Sequence, residues 1–120
     1  MHHGRVDLKA HGTAPIVDLA RLFALEAGRP ETGTVARLQA AADEGTAAKI
    51  AADLAAAFDD LQQLRLRHQA ACQAAGAPAD DVMALSELPT LQRRRLKDAM
   101  HLIHICQERL RITYRTDLIA

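Results

Sequence analysis

Apolar residues recur along this chain at helical spacing, and the pattern divides into four segments. Pro15 sits where a helix can begin, because its missing N–H is spared in a first turn. Ile16, Leu19, Ala20, Phe23 and Ala24 then form one stripe, stopped by Gly28 and Pro30. Thr32 or Thr34 can cap a second, short helix in which Val35, Leu38 and Ala42 face inward, up to Gly45. Thr46 caps a third helix predicted to reach about Ala75, with Ile50, Leu54, Ala57, Phe58, Leu61, Leu64, His68 and Ala71 on one face before Gly76 and Pro78. Pro89 opens a fourth helix running to about Tyr114. Leu96, Ala99, Met100, Ile103, Gln107, Leu110 and Tyr114 make its main stripe, and Leu102, Ile105 and Ile112 a second.

Residues 1–13 are polar, carry Gly4 and Gly12, and read as an arm or linker, with the helical domain over 14–118. The stretch from Gly76 to Leu88 reads as a loop, with Asp80 and Asp81 solvated in it. Period-two alternation of β-branched and aromatic residues is missing. The expected fold is therefore all-α, a four-helix bundle of two short helices followed by two long antiparallel ones.

Composition narrows the function classes. A chain of 120 residues supports one core. Aromatics are limited to Phe23, Phe58 and Tyr114, which argues against binding single-stranded nucleic acid by base stacking. The formal net charge is zero, so no global field draws the chain to DNA or a membrane surface. No apolar run approaches the roughly 20 residues of a membrane span. Cys72 and Cys106 show no CxxC spacing, and nothing resembles a secretory signal, so a cytoplasmic chain with two reduced thiols is expected. Charge is nevertheless uneven: seven acids against three bases from Glu26 to Asp60, and seven bases against two acids from Arg93 to Arg115. A basic fourth helix suggests contact with an anion or an acidic surface, or attraction between the two halves.

Candidate chemistry concentrates in Leu61-Gln62-Gln63-Leu64-Arg65-Leu66-Arg67-His68-Gln69-Ala70-Ala71-Cys72. Leu61, Leu64, Arg65, His68 and Cys72 share a helix face, so an apolar stripe ends in groups that bind anions or move protons. A charge in that phase needs a partner. Arg65 and His68 are therefore expected to turn toward a ligand, whereas Arg67, Arg94 and Lys97 read as a solvated basic face. A weaker alternative is a metal site from His68, Cys72, His101 and His104, since each long helix offers two soft ligands. Arg95 followed by His101 resembles the short Rx4–6H element of HEPN-type ribonucleases. The chain has no P-loop, no Asp-x-Asp and no nucleophile elbow, so catalysis by these residues alone is not expected.

Four blocks, in order, carry a family likeness. They are Asp7-Leu8-Lys9 with Gly12 and Pro15 to Leu25; Thr34-Val35-Ala36-Arg37-Leu38; Leu64-Arg65-Leu66-Arg67-His68-Gln69; and Leu91 to Ala99 with Gln107. Together they resemble the nucleotidyltransferase substrate-binding domain family. That resemblance implies an accessory four-helix bundle that is not itself catalytic. It further implies a bacterial, modular signal-transduction protein with upstream cyclic-nucleotide-binding, CBS and nucleotidyltransferase domains, the last similar to protein-PII uridylyltransferase. Mg²⁺ and a nucleoside triphosphate would belong to the catalytic domain, with no cofactor in this chain, which then reads as a piece of a longer polypeptide. Carried over residue by residue, the motif points to Lys9, Arg21, Arg37, Arg65, His68, Gln69, Lys97 and Gln107 as substrate-binding positions, with a nucleotide or an acidic protein segment as ligand. Asp18, which can pair with Arg21, and Thr34, as easily a helix cap, belong to the same motif. The competing reading is a docking or dimerisation module using the second stripe of the fourth helix.

Overall fold

A computed structural model describes residues 4–28, 32–42 and 48–119, the side chains of 26, 27, 41, 42 and 113–119 excepted. Thr46, Gly45, Pro30 and the side chains of Ala42 and Tyr114, assigned roles from sequence, lie outside that set. Strand β1 (Arg5–Asp7) leads through a π-helical turn (Lys9–Thr13) into α1 (Ala14–Ala27), followed by α2 (Thr34–Ala42) and α3 (Ala48–Ala74). Strand β2 (Val82–Ala84), a 3₁₀ turn (Leu85–Glu87) and α4 (Thr90–Ile119) complete it. The all-α bundle with two short and two long helices is present.

The helix limits follow from local chemistry. Pro15 stands in the first turn of α1. Gly28 ends that helix with φ +64°, a left-handed conformation that costs glycine no Cβ clash, and its N–H is donated to Ala24 and Leu25 carbonyls. On α2 the capping position belongs to Gly33, whose carbonyl accepts the Arg37 N–H at 2.8 Å; neither threonine takes it. Pro89 does precede α4, its carbonyl accepting the Arg93 N–H at 2.9 Å.

The core is one cluster: Ile16, Leu19 and Ala20 from α1, Leu38 from α2, Ala51, Leu54, Ala57 and Leu61 from α3, and Leu96, Ala99, Ile103 and Cys106 from α4. Burying a leucine such as Leu61 stabilises the fold by roughly 2 kcal/mol. Three expected inward residues point elsewhere: Val35 is exposed, as are Ala71 and Gln107. Cys106, one residue before Gln107, holds the buried place instead, and burial pushes its thiol pKa up.

The principal departure from expectation is at the N-terminus. Residues 5–13 are not an arm. β1 pairs antiparallel with β2 in the register Arg5↔Ala84, Val6↔Met83, Asp7↔Val82, and Val6 and Leu8 are fully buried. The ladder continues at both ends, with Leu85 N–H donated to the Gly4 carbonyl and Leu8 N–H to the Asp81 carbonyl, each at 2.7 Å. Strands of three residues are too short to show alternation, which is why sequence pattern alone leaves them as loop. The Gly76–Leu88 connection is correspondingly part strand and part 3₁₀ turn, not an unstructured loop.

The π-turn follows at once. Asp7 Oδ1 accepts the N–H groups of Lys9 (3.0 Å) and Ala10 (2.8 Å), doing for this turn what a capping residue does for an α-helix. Thr13 N–H reaches the Leu8 carbonyl five residues back, at 3.0 Å. That wider winding brings Gly12 and Thr13 inward. A Cβ at Gly12 would lie 3.1 and 3.2 Å from the Leu61 methyls and 3.5 Å from the Met100 methyl, so the missing side chain lets this turn lie directly on α3 and α4.

Candidate functional site

The face of α3 singled out by its phase does leave the core at Arg65, His68, Gln69 and Cys72, all half-buried. Its partners are the two aspartates read from sequence as solvated: Asp80 is indeed exposed, whereas Asp81 is half-buried against α3. Arg65 Nε–H donates to Asp81 Oδ1 at 2.9 Å, and Gln69 Nε2 donates to the same oxygen at 3.0 Å. Arg65 Nη1 also reaches Thr13 Oγ1 (3.3 Å) and Gln62 Oε1 (3.1 Å). One guanidinium thus joins α3, the π-turn and the segment before β2.

Asp80 takes the neighbouring place. Its Oδ1 accepts the Val82 N–H at 3.1 Å and lies 2.7 Å from His68 Nε2, where an ionised carboxylate makes the ring nitrogen the donor. Cys72 Sγ is 3.6 Å from the same ring nitrogen. Hydrogen bonding to His68 holds the Asp80 carboxyl below the usual carboxylate range, and the Arg65 fork does the same for Asp81. The turn between Gly76 and β2 supplies these acids because Asp81 closes the strand ladder through its own carbonyl.

The remaining sequence candidates do not join this cluster. Lys9 is exposed on the π-turn, close enough for its charge to help lower the Asp81 pKa. Arg21 pairs on the surface of α1 with Asp18 at 4.0 Å, as their spacing allows. Arg37, half-buried on α2, is engaged elsewhere, and Thr34 is the first residue of that helix. Lys97 and Gln107 are exposed on α4. His101 and His104 are exposed there too and do not join His68 and Cys72; the third group beside that pair is Asp80.

A hollow of about 90 Å³ opens instead between α3 and α4. Leu61, Leu64, Leu96 and Ala99 form its apolar lining, and Asp60, Gln63, Arg67, Gln92 and Arg95 its polar lining. A shallower one of about 330 Å³ adjoins it, sharing Asp60, Arg95 and Ala99 and adding Asp53, Asp98 and Leu102. Among the described residues no hydrogen bond or ion pair engages Arg67 or Arg95. His101 does not line either hollow, so Arg95 and His101 share no site. Sequence reasoning left Arg67 among solvated charges. The available signal was Arg95, one turn before Ala99 on the main stripe of α4 and hence at the edge of its buried face.

Against known families, residues 1–114 match the model described as Putative nucleotidyltransferase substrate binding domain. The chain belongs to that family. Comparison with curated proteins and with solved structures gave no match. As a nucleotidyltransferase substrate-binding domain, the chain is a helical module of which, among the described residues, no helix is long and apolar enough to cross a membrane. Within this domain the family-like motif on α3 separates into two roles. Arg65, His68 and Gln69 brace the segment before β2, while Arg67, inside the same motif, faces the groove against α4.

Proposed function

We propose that the chain is the non-catalytic accessory domain of a modular signal-transduction nucleotidyltransferase, similar to protein-PII uridylyltransferase, and that it holds a phosphate-bearing nucleotide in the α3/α4 groove. The observation that carries this reading is the pair Arg67 and Arg95, two guanidinium groups that form no ion pair among the described residues, although Asp60 lines the same hollow, beside an apolar floor. Guanidinium forks suit phosphate oxygens, and the apolar residues beneath suit a base or sugar face. Gln63 and Gln92 supply amide donors and acceptors beside them. Arg65 and His68 serve the same purpose indirectly, by fixing α3 against β2 and the π-turn. Catalytic carboxylates, Mg²⁺ and the CBS and cyclic-nucleotide-binding domains belong, in this reading, to other parts of a parent polypeptide.

Titration of the chain with a nucleoside triphosphate, followed by amide NMR, tests it. Shifts should concentrate at Gln63, Arg67, Gln92 and Arg95, and Arg67→Ala with Arg95→Ala should weaken binding at least about tenfold, the loss of ~1.4 kcal/mol expected for charge-assisted contacts. Absence of shifts at millimolar nucleotide overturns the proposal. The alternative of a docking or dimerisation module draws on Leu66 and Leu91, which are 66% and 62% exposed on the same two helices. Sedimentation as a dimer that Leu91→Asp dissociates would favour it.

A further inference from the structure

His68, Cys72 and Asp80 offer three different ligand atoms, from two turns of one helix and the segment that folds back on it, all within 4.8 Å of one another. We propose that they form a binding site for a single divalent cation of the zinc type, with a fourth position open to water. Neither the family assignment nor the groove between α3 and α4 implies such a site, and no groove residue is one of its ligands.

One of the three separations already matches zinc geometry, and a second needs only a small adjustment. A tetrahedral zinc ion with a sulfur at about 2.3 Å and an imidazole nitrogen at about 2.0–2.1 Å sets those two atoms roughly 3.6 Å apart. Cys72 Sγ and His68 Nε2 are separated by 3.6 Å. The spacing of four residues on α3 puts both on one face. The third edge, nitrogen to oxygen, should be about 3.4 Å around the same ion. It is 2.7 Å between His68 and Asp80, so the carboxylate must withdraw by a fraction of an ångström. Asp80 can do so, since its side chain is 59% exposed and a small rotation of the carboxylate offers either oxygen to the ion.

The site is also closed to the wrong competitors. Cys106 is buried in the core at 3% exposure and cannot reach an ion beside Cys72 without unpacking α4. His101 and His104, the partners expected from sequence, are exposed on α4 and outside the group. Arg65 is spent on Asp81 and leaves Asp80 its charge. Binding would staple the segment before β2 to the end of α3: the ion takes the lone pair of His68 Nε2, the ring proton sits on Nδ1, the Cys72 thiol releases its proton to solvent, and the bond from the ion to Asp80 replaces the direct His68–Asp80 hydrogen bond of the metal-free chain.

The test uses the reduced 120-residue chain with His2→Ala and His3→Ala, which removes adjacent imidazoles as rival ligands. Titration with Co²⁺ should saturate at one ion per chain, giving the visible bands of a tetrahedral ion together with thiolate-to-metal absorption, and Zn²⁺ should displace it. Cys72→Ser should abolish the thiolate absorption and weaken Zn²⁺ at least about tenfold, with helix content unchanged by circular dichroism. Cys106→Ser and the pair His101→Ala, His104→Ala should bind as the parent does. A six-coordinate Co²⁺ spectrum without thiolate absorption overturns the proposal, as does Zn²⁺ affinity indifferent to Cys72→Ser. Neither outcome bears on nucleotide binding at Arg67 and Arg95.

Discussion

Arg65 and Asp81 lie sixteen residues apart in sequence and meet at 2.9 Å, each side chain about one-fifth exposed. This contact converts a basic residue on an apolar helix face into the brace between α3 and the segment leading to β2.

Removing the arginine leaves a half-buried carboxylate with Gln69 as its remaining side-chain donor and takes the partner from Thr13. Arg65→Met should lower unfolding free energy by about 1–2 kcal/mol, less than the 3–5 of a fully buried pair because solvent reaches both groups. Urea denaturation measures this directly. An unchanged midpoint would mean that the contact adds nothing to stability.

The two aspartates set the acid response. An unfolded aspartate titrates near 3.8, while the folded Asp80 and Asp81 titrate lower. As pH falls from about 3.8 through those lower values, the unfolded state takes up protons that the folded state does not, so stability falls; above that window the contribution is complete. Thermal denaturation across this range, in a buffer containing a chelator, should show the decline, and Asp81→Asn should make it shallower.

Gly12 meets opposing effects. Alanine favours a helical turn over glycine by up to about 1 kcal/mol. Its methyl would stand 3.1 Å from the wholly buried Leu61 side chain, closer than ordinary van der Waals contact, and overpacking of this kind costs about 1–3 kcal/mol. The crowding should prevail, so Gly12→Ala is expected to lower stability by about 1 kcal/mol, and Gly12→Val by more, in the same denaturation assay.

The groove arginines should behave in the opposite way from Arg65. Among the described residues neither Arg67 nor Arg95 bonds another side chain, and both are exposed. Alanine at either position should change stability by less than about 0.5 kcal/mol, while nucleotide binding followed calorimetrically should weaken. Loss of folding in these variants would place them in the brace and not in a ligand site.

Much of the helical architecture was legible, and for a physical reason: Ile16, Leu19, Leu54, Leu61, Leu96 and Ile103 follow a 3.6-residue period because each helix buries one face. The phase argument also identified Arg65 and His68 as charges in need of partners. It could not say that the partners were Asp80 and Asp81, because that depends on how a turn outside any periodic segment folds back on α3. The strands were illegible because three residues carry no period, and Gly12 and Thr13 because a π-turn shifts the helical phase just where an α-helical reading would begin. Arg67 and Arg95 were hidden differently. Their prominence comes from a gap between two helices, which neither helix's own pattern records.

The pairing of Val6 with Met83 bears on the order of events during synthesis. β1 leaves the ribosome ahead of the four helices, but its hydrogen-bonding partner emerges more than seventy residues later. Val6 and Leu8 must wait, uncovered, while α1 to α3 are already able to coil. Closure of β1 against β2 is thus a late step, and a slow translation of the stretch after α3 would prolong the interval in which those two side chains are open to wrong partners.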